Sequence, residues 1–206
     1  MLAAWFARQL ACPTGLFGAW FLAPLWNRRN AALSDAAFDA LTPAPTDRVL
    51  EIGFGGGYLL GRFAAVLTDG ALAGADVSAV MVSRARRRFR VQLRMGRLKL
   101  RCAPAEALPF DDGSFNKICS VNSVFYWSNP ARAFAECRRV LTDGGVLALC
   151  LTEPRSLERR DFAQHGLKLF ESDEIERLLA SAGFHDCRVT RHADRHRDFF
   201  CLTCVA

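Results

Sequence analysis

Apolar positions along this chain alternate between short solid runs and sparse stripes. Val49 to Gly53, Ala71 to Asp76, Leu98 to Cys102, Asn116 to Val121 and Val146 to Leu151 have the length and character of buried strands. Between them apolar residues recur three or four apart, as on one face of a helix. A helix is predicted from about Tyr58 to Leu67. A second is capped by Ser78 and reaches roughly Gln92, with Met81, Ala85 and Phe89 turned inward. Asn129-Pro130 opens a third, whose buried stripe is Phe134, Cys137, Val140 and Leu141. A fourth starts near Ser172 with Asp173 and Glu174 in its first turn, buries Ile175, Leu178, Leu179 and Ala182, and stops at Gly183. Asp69-Gly70 and Asp143-Gly144-Gly145 read as turns, and Leu108 to Gly113 as a loop. The final runs, Phe184 to Thr190 and Asp198 to Val205, are separated by a short polar turn, which joins antiparallel neighbours. Five β/α repeats followed by a hairpin predict a doubly wound α/β fold with one reversed strand.

With 206 residues, 51% of them hydrophobic, the chain can bury a full core, and no linker, repeat or charge block divides it. Residues 1–206 are therefore read as one domain, with 1–45 an N-terminal helical cap or lid segment. Ala11 to Trp26 is rich in Leu, Phe and Trp, but Pro13 and Pro24 interrupt it and it falls short of the roughly 18 apolar residues a membrane span needs. Its aromatics are expected to cap the core or to cover an apolar substrate. The eight cysteines sit in apolar runs, which reads as buried reduced thiols of a cytoplasmic protein. Cys201 and Cys204 would point to opposite faces of a strand, and His192 and His196 lack a third ligand, so no metal site is expected. Arginines crowd between Arg84 and Arg101. Helical spacing turns Arg84, Arg87 and Arg88 to solvent without interleaved aromatics, which argues against a nucleic-acid surface.

The chemistry concentrates at two strand ends. Glu51-Ile52-Gly53-Phe54-Gly55-Gly56-Gly57 closes the first strand with a carboxylate and alternating glycines, and Asp76 ends the second. Glycine lets the backbone turn tightly and approach a ligand, and a carboxylate at the second strand tip can accept both hydroxyls of a ribose. A dinucleotide fingerprint would place a third glycine where Tyr58 or Leu60 stands. The spacing E-x-G-x-G-x-G suits instead a cationic adenosine ligand without phosphate, such as S-adenosyl-L-methionine.

Four blocks in order carry a resemblance: Asp47 to Gly57, Gly74 to Ser78 with Met81, Ala105 to Asp111, and Arg138 to Gly145. From about Asp47 to Leu149 the chain resembles the class I S-adenosylmethionine-dependent methyltransferases, close to the small-molecule group that includes ubiquinone and menaquinone methyltransferases. The resemblance implies a Rossmann-like, mostly parallel seven-stranded sheet with one antiparallel strand and helices on both faces. It implies that Gly53, Gly55 and Gly57 form the loop around the methionine part, that Glu51 orients its ammonium and that Asp76 holds the ribose. Val77 and Met81 would pack on the adenine, with Ala105 and Glu106 along its edge. Pro104 stands where relatives often carry the aspartate that accepts the adenine amino group.

A sulfonium methyl is already electrophilic, so the protein's task is alignment and exclusion of water. The expected reaction is direct in-line transfer to a small, partly apolar acceptor. Phe125, Tyr126 and Trp127 beyond the fourth strand favour such an acceptor, and Asn122-Ser123-Val124-Phe125 lacks the prolines of an amino-methylating Asn-Pro-Pro-Tyr stretch. Asn122, Tyr126 and His165 are the candidate catalytic residues, His165 because imidazole takes a proton near neutral pH. A nucleic-acid methyltransferase and a non-catalytic S-adenosylmethionine-binding partner protein are the alternatives.

Overall fold

The computed structural model describes residues 28–158 and 168–206. His165 and the aromatics up to Trp26 lie outside the described residues. Helix α1 (Ala31–Leu41) precedes β1 (Arg48–Ile52), α2 (Tyr58–Val66), β2 (Ala71–Asp76), α3 (Ala79–Arg88), α4 (Arg90–Arg94) and β3 (Leu98–Cys102). Then come β4 (Phe115–Val121), a single 3-10 turn (Val124–Tyr126), α5 (Pro130–Val140), β5 (Leu141–Thr152), α6 (Pro154–Glu158), α7 (Ser172–Ser181), β6 (His185–Ala193) and β7 (Asp198–Val205).

The seven strands form one sheet in the order β3-β2-β1-β4-β5-β7-β6. β1 pairs in parallel with both β2 and β4, and β7 runs antiparallel between β5 and β6. The order therefore reverses between β1 and β4. The helices that follow those two strands pack on opposite faces, and this switch point forms the crevice at the carboxyl ends where open α/β sheets hold their ligands.

Alternation sends side chains of each strand into two cores. Leu50 and Ile52 join Phe134, Cys137 and Ile175 under α5 and α7, while Val49 joins Leu33, Phe63 and Met81 under α1, α2 and α3. The described part of the N-terminal segment is thus a core helix: Leu33, Ala37 and Leu41 of α1 are buried. Two caps stand where the sequence puts them. Ser78 Oγ accepts from the Met81 N–H at 3.4 Å and Asn129 Oδ1 from the Arg132 N–H at 3.1 Å.

Three expectations are corrected. The helix after Ser78 breaks at Phe89, whose buried ring lies against Gly57 and Gly61; a side chain at Gly57 would crowd it. Asp143-Gly144-Gly145 is not a turn before β5 but a bulge within it. Register passes from Phe115↔Leu141 to Lys117↔Val146, and the Gly144 N–H donates to the Ala206 carbonyl at 3.0 Å. The cysteines are not all buried thiols: Cys187 and Cys204 form a disulfide across β6 and β7, and Cys102 is exposed. Among the described residues Cys119, Cys137, Cys150 and Cys201 are free and buried, and no helix is long and apolar enough to cross a membrane.

Candidate functional site

The loop after β1 is built on backbone conformations that side chains resist. Gly53, Gly55 and Gly57 all have positive φ, at 74°, 48° and 71°. This explains their alternation, since every second residue turns left-handed. Gly53 also abuts Ser123 after β4 so closely that a Cβ would collide with it. Ser123 Oγ in turn meets Ser120 Oγ and donates to the Ile52 carbonyl at 3.3 Å. The two loops flanking the crevice are thereby locked side by side. Gly57 caps α2, and the Arg88 guanidinium fixes the loop from behind through the Gly56 carbonyl at 3.0 Å.

Asp76 closes β2 on the same crevice. Its Oδ2 accepts from the Gly55 N–H and its Oδ1 from the Ser78 N–H, both at 2.8 Å. Burial raises its pKa, and those two donors act against the rise. Each oxygen keeps a lone pair for a ligand. The next side chain, Val77, is 52% exposed, an apolar group left open beside a buried carboxylate.

Glu51 alternates onto the α1–α2 face and is 4% exposed. It takes a backbone hydrogen bond from Leu60 in the first turn of α2. Desolvation, reinforced by the nearby Asp76 charge, holds its carboxyl well above the usual range, and its Oε2 is buried with no hydrogen-bond partner. An orphaned carboxyl oxygen beneath a glycine loop is a place for a donor to arrive.

Other sequence-predicted residues are placed differently. Met81 is fully buried in the core under α3, where Val77 alone offers an open apolar face. Ala105 is buried, and Glu106 Oε1 accepts from Ser128 Oγ at 2.9 Å and the Asn129 N–H at 3.0 Å, at the start of α5. Desolvation would raise Glu106, but those hydrogen bonds outweigh it and lower its pKa. Of the aromatic trio, Phe125 and Trp127 are core residues and only Tyr126 reaches the surface. Tyr126 is nonetheless desolvated enough that its phenol is pushed up to about 12, which makes it a neutral hydrogen-bond donor and not a base near neutrality.

Asn122 sits at the end of β4 in the left-handed region, φ 52°. Its Oδ1 accepts from the Thr152 N–H at 2.8 Å and Thr152 Oγ1 at 3.1 Å, and its Nδ2 donates to Asn30 Oδ1 at 3.2 Å. The amide thus ties β4 to β5 and to the start of α1. His192 stacks on Phe199, and His196 Nε2 accepts from Arg195 Nε at 2.8 Å.

A clasp absent from the sequence reading joins the third and fourth blocks. Glu136 Oε2 accepts from the Leu108 N–H at 2.8 Å, and Arg139 donates to the Phe110 and Leu108 carbonyls at 2.8 and 2.9 Å while pairing with Glu136 and Asp112. Its signal was an acid three residues ahead of an arginine on one helix face.

Residues 50–149 match the family model for a methyltransferase domain. Over that span, 100 of its 206 residues, the chain is similar to the class I S-adenosylmethionine-dependent methyltransferases. Among methyltransferases it is similar to the malonyl-[acyl-carrier protein] O-methyltransferase of Geobacter sulfurreducens, 32% identical over 69% of this chain and 57% of that protein. This chain therefore spans little more than half of that relative. An uncharacterized methyltransferase of Bacillus subtilis is 29% identical over 76% of this chain and 82% of its own length. In fold, it is similar to a chain of the Haloferax volcanii complex between the Trm112 methyltransferase activator and a methyltransferase. That match has a TM-score of 0.81 at 20% identity, covering 92% of this chain and 96% of that one. The matched span begins at β1 and ends within β5, so it contains the glycine loop, Asp76 and the Glu136–Arg139 clasp.

Proposed function

We propose that this protein is an enzyme that transfers the methyl group of S-adenosylmethionine to a small, partly apolar acceptor. The observation that carries the reading is the Asp76 carboxylate, pinned by the Gly55 and Ser78 N–H groups beside the open Val77 at the mouth of the crevice. These residues fit the cofactor. Asp76 would accept the ribose hydroxyls, Val77 would lie against the adenine, and the backbone of Gly53 and Gly55 would follow the methionine part. The orphaned Glu51 Oε2 suits a cationic ammonium nearby. When bound, S-adenosylmethionine supplies a methyl on a sulfonium, an electrophile that needs no further activation.

The chain's own task is to hold the acceptor in line and keep water out. Tyr126, neutral near pH 7, would donate a hydrogen bond to an acceptor oxygen. Asn122 would act through the backbone of the β4 loop, since its amide is engaged with Thr152 and Asn30. His165 remains the proposed proton acceptor, and the aromatic segment before α1 the proposed cover of an apolar acceptor. The Geobacter sulfurreducens relative is named for methylating malonyl-[acyl-carrier protein], which supports a small acyl-type acceptor group. Four buried free thiols fit a cytoplasmic location; the Cys187–Cys204 bridge is the described feature a reducing compartment would oppose.

The test is incubation with methyl-labelled S-adenosylmethionine and a panel of carboxylic acids, phenols, quinols and amines, beside duplex and single-stranded RNA. Label on a small acceptor supports the reading. Label on RNA alone would replace it with a nucleic-acid methyltransferase, and tight cofactor binding without transfer to any acceptor with a non-catalytic partner.

A further inference from the structure

The excess of positive charge in this protein comes from one edge. Residues 77–105 hold nine of its 27 arginines and lysines and none of its 21 acids, so the rest of the chain is net acidic although the whole carries +6. The segment folds as α3, α4 and β3, the outermost strand of the sheet. Arg90 and Arg94 lie on α4, Arg97 in the turn after it, and Lys99 and Arg101 on β3, all exposed. Among the described residues none of these five forms an ion pair. Charges that guard an open edge against aggregation sit on the edge strand, whereas six of these nine lie on α3 and α4. A patch this dense and unrelieved repels itself, which is a standing cost unless it meets an opposite field.

Two apolar side chains stand among the guanidinium groups. Val91 and Met95 are 56% and 58% exposed and lie four residues apart, one turn along the same face. Phosphodiester backbone offers them nothing to bury against. The one aromatic of the segment, Phe89, is buried, so no base could stack on it. An acidic amphipathic helix offers both carboxylates for the arginines and apolar residues for Val91 and Met95. We propose that the α4–β3 edge is a docking surface for an acidic protein that presents such a helix. Cys102 Sγ at the end of β3 lies 3.6 Å from the Val77 carbonyl, so the docked partner abuts the adenosine end of the crevice.

The probe is a fluorescently labelled, glutamate-rich helical peptide with leucines four apart, titrated against the full chain by anisotropy, with poly-L-glutamate and duplex RNA in parallel. The peptide is expected to bind more tightly than poly-L-glutamate and to weaken as salt rises from about 50 to about 200 mM, because exposed charges are screened over about 10 Å at 0.1 M. Arg90→Glu/Arg94→Glu should weaken it at least about tenfold, and Val91→Ser/Met95→Ser about fivefold, the loss of roughly 1 kcal/mol of apolar burial. All four side chains are exposed, so no variant should melt below the parent, the charge reversals should melt at or above it as self-repulsion is relieved, and S-adenosylmethionine affinity should match the parent. Arg90→Gln/Arg94→Gln repeats the test without charge reversal. Absence of peptide binding, peptide binding indifferent to either pair, or duplex RNA binding that is tighter and unmoved by Val91→Ser/Met95→Ser would each overturn the proposal.

Discussion

The Gly55 N–H donates to Asp76 Oδ2 at 2.8 Å, tying the glycine loop after β1 to the tip of β2. One carboxylate therefore shapes the crevice before any ligand arrives, because the loop's left-handed turns are held from the strand beside it. This coupling makes Asp76 both an organiser of the loop and the proposed ribose acceptor.

Asp76→Ala should accordingly weaken S-adenosylmethionine binding by about 1.5–3 kcal/mol, the scale of hydrogen bonds to a charged group. Asp76→Asn retains one acceptor oxygen and should lose less. Calorimetric titration of the two variants checks the order, and an unchanged affinity in Asp76→Ala would remove the residue from the site.

Glu51 gives a pH signature. Its carboxyl is held well above the usual range by desolvation and by Asp76, so the folded protein binds that proton more tightly than the unfolded chain. The linked stability is complete below the unfolded value of about 4.3 and is lost as pH rises through the folded one. Glu51→Gln keeps an acceptor for the Leu60 N–H without the charge. It should melt above the parent near about pH 8, with the gap closing toward about pH 4. A gap that is constant with pH, or reversed, would show that the Glu51 carboxylate is not destabilised by its burial.

Much of this was legible in the sequence, for reasons that differ by element. Strands β1 to β5 and β7 stand where solid apolar runs were read, β1 and β2 closing at Gly53 and Asp76, and the glycine loop was readable because alternate positive φ values leave alternate glycines. The break at Phe89 was not, since it serves a tertiary contact with Gly57 and Gly61 that helical periodicity does not encode. Met81, read both as a core residue and as an adenine contact, is covered, and of Phe125, Tyr126 and Trp127 only Tyr126 stays open, for a related reason. A ligand-facing position and a core position want the same side chains, and only the packing of α3 and of the 3-10 turn separates them. The Cys187–Cys204 pair depends on a register shift in β6 between His185 and Arg188, which alternation cannot foretell.

That bridge is itself measurable. Cys187 and Cys204 lie 4.2 Å apart at Cα and 17 residues apart in sequence. Closing a loop of this size contributes about 2–3 kcal/mol. Mild reduction should lower the midpoint of urea unfolding, whereas the Cys187→Ser/Cys204→Ser protein should show no change on reduction. Equal sensitivity of the two proteins would assign the effect to another pair.

Asn122 separates backbone from side chain. Asn122→Ala loses the bonds to Thr152 and Asn30 and puts at φ 52° a residue that tolerates the left-handed region less well than asparagine, a combined cost of about 2–3 kcal/mol. Asn122→Gly loses the amide but tolerates the left-handed conformation, and should be about 1 kcal/mol more stable than the alanine variant. Urea denaturation gives the ranking directly. Equal stabilities would mean that the backbone at this loop relaxes at no cost.

The most direct test of the account is calorimetric titration of the purified protein with S-adenosylmethionine and, separately, with NAD. A crevice built from three left-handed glycines, the pinned Asp76 and the open Val77 should bind S-adenosylmethionine at a single site and leave NAD unbound, because the loop lacks the third glycine that a pyrophosphate fingerprint requires. Binding of NAD with no heat from S-adenosylmethionine would contradict it.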